Sequence, residues 1–300
     1  MKIERQGDLL LRGQIRQSLS GYYDVAIEGV TYRTRARGNF RKKGEAPLVG
    51  DWVEFKAENQ NEGYILKIEQ RKNELVRPPV ANIDYAIVVT ACKEPKFSSN
   101  LLDRQLVMLE KNGIKPLLFF SKADLLTAEE TMRMEQVIAA YQKIYDCQLG
   151  ALDSDVVLTE KVQQKVIVVM GQTGAGKSTL LNNLKPELAL ETGEVSKALS
   201  RGKHTTRKVT LLPIKNNLIA DTPGFSSFDL LEIKKEELAR YFPEFQNFAI
   251  GCKFRSCIHL NEPDCKVKEA VMNGEIQTSR YENYQQFQEE ISKQKIKYRK

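Results

Sequence analysis

Residues 166–184 read VIVVMGQTGAGKSTLLNNL. The opening run, Val166–Met170, is apolar throughout, the composition of a strand buried on both faces. Gly171, Gln172, Thr173, Gly174, Ala175, Gly176, Lys177, Ser178 and Thr179 follow, and match G-x-x-x-x-G-K-[ST] in full. Glycines at these positions let backbone N–H groups converge on phosphate oxygens, and a helix opening at Lys177 adds the favourable end of its dipole. Lys177 is suited to reach the β- and γ-phosphates, and the Ser178 hydroxyl to ligate Mg²⁺. The alternative is a chance match in a glycine-containing turn, which the strand before the loop and the helix after it argue against. A nucleotide-binding α/β domain is therefore expected here.

Upstream, Ser121, Lys122, Ala123 and Asp124 end a second buried run, Ile114–Phe120. They match the N-K-x-D pattern of guanine-nucleotide readers except that Ser121 stands where Asn is usual. An aspartate there accepts two hydrogen bonds from the guanine edge, and adenine has no matching donors. An ordinary strand-to-helix turn is the alternative. Downstream, Asp221-Thr222-Pro223-Gly224 follows the run Leu218–Ala220. In such a D-x-x-G element the Asp supports the Mg²⁺ shell and the Gly N–H senses the γ-phosphate. The guanine motif precedes the phosphate loop, the reverse of the usual order. A parallel sheet tolerates such a cut because the site depends on strand ends meeting in space. The D-x-x-G segment then leads directly into the C-terminal region.

The intervening sequence supports a doubly wound parallel sheet. Ile83–Thr90 and Val209–Ile214 read as further strands. Ser98 or Ser99 caps a helix with Leu102, Leu106 and Leu109 on one face, and Thr127 with Glu130 forms a capping-box signature. The helix that follows aligns Met134, Val137, Ile138, Tyr141 and Ile144. Before Arg77-Pro78-Pro79 the chain reads as short strands, Tyr22–Ile27, Val30–Arg35, Asp51–Phe55 and Tyr64–Ile68, separated by glycines, which suggests a small barrel of the OB type. The expected organisation is an OB-type barrel over 1–77, a permuted P-loop domain over 78–229, and a mainly α-helical module over 230–300.

Within that last module Cys252, Cys257, His259 and Cys265 form a Cys₃His set suited to tetrahedral Zn²⁺, with no position left open for catalysis. Buried free cysteines are the alternative; Cys92 and Cys147, far from the cluster, read as core residues. The chain of 300 residues carries a net charge of +7, a mild excess that permits a nucleic-acid partner. Its clearest concentration is Arg33, Arg35, Arg37, Arg41, Lys42 and Lys43, with Asn39-Phe40 offering a stacking ring. A solvated charged face is the alternative. The terminal Lys293, Lys295, Lys297, Arg299 and Lys300 form a weaker candidate contact, and Trp52 is expected in the core. No apolar run is long enough for a membrane span or a signal peptide, so no membrane partner and a cytoplasmic location are expected, with a monomer as the default.

Gly202-Lys203-His204-Thr205-Thr206-Arg207 lies between phosphate loop and D-x-x-G, where a switch threonine, Thr205 or Thr206, ligates Mg²⁺. Phe225 occupies the place of the usual water-orienting Gln, which predicts slow turnover raised by a partner. With GQTGAGKST, SKAD, GKHTTR, DTPGF and the Cys/His set in hand, the chain resembles the circularly permuted GTPases along its whole length, specifically the bacterial small-ribosomal-subunit-dependent GTPases of late subunit assembly. The resemblance implies GTP hydrolysis with GTP/GDP exchange, favours Thr206 over Thr205, and offers His204 as the missing polar group beside Asp221 and Gly224. It implies docking on the small ribosomal subunit and its rRNA through the barrel and the zinc module, with GTP favouring docking and hydrolysis release. A P-loop ATPase, or an RNA-binding protein with a structural nucleotide, is the rival reading.

Overall fold

The computed structural model of the protein describes residues 2–5, 8–38, 40, 44–76, 78–150, 162–188, 209–221 and 233–293. In chain order the strands are β1 (Lys2–Arg5), β2 (Asp8–Leu19), β3 (Tyr22–Ile27), β4 (Val30–Ala36), β5 (Trp52–Ala57), β6 (Gly63–Ile68), β7 (Glu74–Val76), β8 (Pro79–Ala81) and β9 (Tyr85–Ala91). Helix α1 (Ser99–Lys111), β10 (Lys115–Ser121), α2 (Ala128–Gln142) and β11 (Asp146–Leu149) come next. Then follow β12 (Val166–Gly171), α3 (Lys177–Leu184), β13 (Val209–Ile214) and β14 (Asn217–Asp221). The chain continues into α4 (Lys235–Leu238), α5 (Pro243–Ala249), α6 (Lys266–Met272) and α7 (Thr278–Lys293). Two compact units result: Met1–Ile87 with Leu152–Phe225, and Val88–Ala151 with Ser226–Lys300.

In the first unit the strands run β2-β3-β4-β6-β5, and β5 pairs back onto β2, closing the expected barrel. Ile15, Val25, Val53, Phe55 and Ile65 fill its interior and are fully buried. Strand β2 was not anticipated as one element. Between its inward residues Leu11 and Ile15 the same face carries Gly13, buried but without a side chain, so the apolar alternation is weak there. Asp51 is fully buried and accepts both arms of Arg71, at 2.8 Å each, together with the Leu48 N–H at 2.7 Å. Trp52 departs from expectation: it is 36% exposed, with the Arg12 guanidinium 4.4 Å above its ring. On a half-buried strand the even positions face out, and Val53 and Phe55 took the core face.

Strands β12 and β14 are parallel, as expected, whereas β13 runs antiparallel to β14 as a hairpin turning at Lys215, φ +50°. On its other edge β13 pairs with barrel strand β2, Val209 opposite Ser18 and Thr210 opposite Gln17. Barrel and phosphate-loop strand thus belong to one continuous sheet.

In the second unit β10 lies between β9 and β11. Ser98 caps α1 by accepting the Leu101 N–H at 3.3 Å, and Leu102, Leu106 and Leu109 are buried as the periodicity predicts. Thr127 and Glu130 form the full capping box of α2. The C-terminal helices close over Phe242, Phe245, Tyr284 and Phe287, with Val107 of α1 in the same core. Each such ring contributes about 1.5–3 kcal/mol on burial. Among the described residues no helix is long and apolar enough to cross a membrane.

Candidate functional site

All six residues of β12 are buried, which anchors the start of the phosphate loop. Gly174 and Gly176 adopt φ +83° and +101°, the left-handed region that a side chain disfavours, and Gly176 caps α3. Ala175 is buried and its N–H donates to Gln172 O at 3.1 Å, while Thr173, Gly174 and Thr179 are exposed. Lys177 turns back along the loop, and its ammonium donates to the carbonyls of Gly171 and Gln172, both at 2.7 Å. Burial pushes its pKa down to about 8, so an incoming anion would meet a cation that gains by being paired. Ser178 stands beside it in the first turn of α3. Asp221 ends β14, opposite Thr210. His204, Thr205, Thr206, Gly224 and Phe225 lie outside the described residues.

In the second unit, Ser121 closes β10 fully buried, with its Oγ donating to Thr90 O at 3.4 Å and its carbonyl accepting the Cys92 N–H at 2.9 Å. Lys122 takes φ +59°, and its ammonium donates to the Glu94 carbonyl. This left-handed kink turns the chain into the short 3₁₀ helix Ala123–Leu125. Asp124 is exposed at its centre, as a carboxylate that receives a ligand must be. The smaller Ser121 is compatible with the motif here, since its buried hydroxyl already reaches a neighbouring strand.

The metal candidates converge as the spacing suggested. The donor atoms of Cys252, Cys257, His259 and Cys265 all lie within 4.8 Å of one another. Cys252 Sγ is 3.7 Å from His259 Nδ1 and 3.9 Å from Cys265 Sγ, and Cys265 Sγ is 3.4 Å from the same nitrogen. Tetrahedral bonds of about 2.3 Å to sulfur and about 2.0 Å to nitrogen would separate the donors by about 3.5–3.8 Å, so the set could hold one metal ion. Supporting residues escaped the sequence reading. Glu262 accepts the N–H groups of Ile258 at 2.7 Å and Leu260 at 2.9 Å, Tyr281 donates to His259 O at 2.7 Å, and Tyr284 donates to Ile258 O. His259 itself takes a left-handed backbone, φ +60°, within this turn. Without a cation, burial pushes the Cys257 thiol up to about 12 and raises that of Cys265 as well.

On the barrel, Arg33 and Arg35 are exposed along one face of β4, and Arg37, just past its end, is exposed too. Phe40, expected as a stacking ring, is instead buried at 9% exposure, because the chain folds back there, with the Glu45 N–H donating to Phe40 O at 3.1 Å. The ring these arginines pack on is Tyr22 of β3, opposite Arg35, with the guanidinium groups of Arg33 and Arg35 at 4.7 and 4.3 Å from its centroid. Arg41, Lys42, Lys43 and Asn39 lie outside the described residues, as do Lys295, Lys297, Arg299 and Lys300.

Comparison with known proteins agrees with this arrangement. The sequence profile of the RsgA N-terminal domain matches residues 12–65, and that of the RsgA GTPase matches residues 68–231. The small ribosomal subunit biogenesis GTPase RsgA 1 of Lactiplantibacillus plantarum is 57% identical over 293 residues, covering 96% of this chain and 98% of that one. The small ribosomal subunit biogenesis GTPase RsgA of Limosilactobacillus fermentum is 56% identical, covering 96% and 99%. Among solved structures, YloQ, described as a circularly permuted GTPase, superposes with a TM-score of 0.81 at 38% identity, covering 99% of this chain and all of that one. YjeQ from Thermotoga maritima gives 0.83 at 33% identity, covering 96% of this chain. With the phosphate loop, the permuted motif order and near-complete coverage all in agreement, the chain belongs to the RsgA GTPase family and is a GTP hydrolase.

Proposed function

We propose that the protein is a switch for late assembly of the small ribosomal subunit, docked by GTP and released by hydrolysis. The observation that carries this reading is one chain holding a phosphate loop in the same sheet as a barrel whose exposed face gathers Arg33, Arg35 and Tyr22. Guanidinium groups over an aromatic ring suit phosphates beside an unstacked base. Two near-full-length relatives named for small-subunit biogenesis support the same partner.

In this reading the barrel, residues 1–77, contacts rRNA, residues 78–229 bind and hydrolyse GTP, and residues 230–300 form a zinc module that also docks. Gly171–Thr179 cradle the phosphates. Lys177 leaves the carbonyls of Gly171 and Gln172 to pair with the β- and γ-phosphates, and Ser178 ligates Mg²⁺. Asp124 accepts the guanine edge while the Lys122 stem lies along the base and Ser121 and Ala123 shape the loop. Thr206 or Thr205 senses the γ-phosphate together with Asp221 and Gly224, and His204 supplies the polar group that Phe225 lacks. Mg²⁺ held by Ser178 would supply charge neutralisation at the phosphates. Cys252, Cys257, His259 and Cys265 hold a structural Zn²⁺, with no open position for chemistry. The protein acts as a monomer, in the cytoplasm.

Phosphate release from GTP and ATP, with and without purified small subunits, tests the reading. GTP-specific release raised several-fold by subunits is expected. Release indifferent to subunits would sink the ribosomal switch, and a preference for ATP would sink the guanine motif.

A further inference from the structure

The first two turns of α1 are tied to α7 by polar side chains as well as by packing. Asn283 donates to the Ser99 hydroxyl at 3.2 Å, and Asn100 donates to Gln286 Oε1 at 2.8 Å. Asp103 is fully buried and accepts from Arg280 at 2.7 Å, Asn283 at 2.6 Å and Tyr141 at 2.7 Å. Arg280, 2% exposed, directs its other donors to Glu244 at 2.7 and 2.9 Å. At the surface Arg104 makes a bidentate pair with Glu290, at 2.8 and 2.7 Å. Buried ion clusters seldom add net stability over apolar packing. This one is better explained by the geometry it imposes.

The loop 92–98 leads straight into α1. Its Glu94 carbonyl accepts the Lys122 ammonium, and its Cys92 N–H donates to Ser121 O at 2.9 Å. Half of the SKAD motif therefore rests on a loop whose downstream end is fixed by α7. We propose that the Asp103–Arg280–Glu244 cluster is a positioning element for the guanine-reading loop, through which the C-terminal module sets how tightly guanine nucleotide is held. The proposal rests on the reading of Ser121–Asp124 as the guanine motif. Linkage makes the effect reciprocal: a partner that displaces α7 loosens the nucleotide, and bound nucleotide stabilises the seating of α7.

The test uses the full chain with Arg280→Lys, which keeps the charge but loses the fork, and with Asn283→Ala, which keeps all three charges but removes the amide that holds Asp103 and Ser99 to α7. Dissociation constants are measured by calorimetry for GDP and for inorganic tripolyphosphate, which has no base. GDP binding is expected to weaken about ten-fold in both variants while tripolyphosphate changes by less than about two-fold. Combining Asn283→Ala with Lys122→Met should give a non-additive loss for GDP, since both act on one loop. Unchanged GDP affinity in folded Arg280→Lys and Asn283→Ala, or equal losses for both ligands, overturns the coupling. The GDP-over-ADP preference of the unaltered protein is read in the same series. Its absence overturns the guanine reading and this proposal with it, whereas its presence with unaffected variants overturns the coupling alone.

Discussion

A methyl group at Gly50 would stand 2.1 Å from the carbonyl oxygen of Ala81, and the backbone there has φ +94°. Both the approach and the torsion demand glycine, because the obstacle is main chain and cannot swing aside. Gly50→Ala should therefore destabilise the protein by more than about 2 kcal/mol, read as a lower urea midpoint at unchanged slope. Lys177 supports a prediction of a different kind. Its pKa near 8 in the nucleotide-free protein is set by burial, and a bound phosphate would raise it. Binding then takes up a proton once the pH exceeds about 8, so nucleotide affinity is full below that value and falls as pH rises through it. Titration of GDP affinity between about pH 7 and 9.5 should show this decline; a flat profile would mean that Lys177 stays protonated without ligand.

Among the elements, the β3–β4 hairpin is the most instructive. The period-2 rule placed Arg33 and Arg35 on one face of β4, and they lie there. The ring they flank comes from the neighbouring strand, since Tyr22 sits opposite Arg35 in the ladder. Sequence proximity favoured Phe40 for that role, whereas register decided for Tyr22. If this face contacts rRNA phosphates, Arg33→Ala with Arg35→Ala should lower the slope of log K against log salt for small-subunit binding by about 1–2. Tyr22→Ala should weaken binding with little change in slope, because stacking releases no counterions. Helix α1 shows the complementary case. Its cap and apolar stripe were legible at Ser98, Leu102, Leu106 and Leu109, whereas Asp103 drew no notice in the sequence and is buried against Arg280.

For the whole molecule, the division into two compact units predicts two unfolding transitions rather than one. The Cys/His donors all belong to the second unit, where the loop that carries them is held by Glu262, Tyr281 and Tyr284. Metal removal by a strong chelator should lower the melting temperature of one transition, by several degrees or more, and leave the other in place. Calorimetric scans of the protein with and without chelator check this, and Cys257→Ser should reproduce the chelated trace. An unaltered scan with full loss of bound metal would show that the fold does not depend on the ion.

Local pattern determined much of this protein. The phosphate loop, the turn at Ser121–Asp124, the helix caps at Ser98 and Thr127 and the Cys/His spacing each depend on residues close along the chain, where steric and hydrogen-bonding rules act directly on neighbours. Near-complete similarity to one GTPase family then agreed with what those motifs implied. Tertiary structure alone decided the rest: that β13 runs antiparallel and joins the barrel, that Tyr22 and not Phe40 meets the arginines, that Trp52 faces outward, and that Asp103 lies opposite Arg280. These depend on ladder register and on partners as far apart as 193 positions. A buried charge carries no mark in its own neighbourhood, because its partner arrives only when the chain has closed its core.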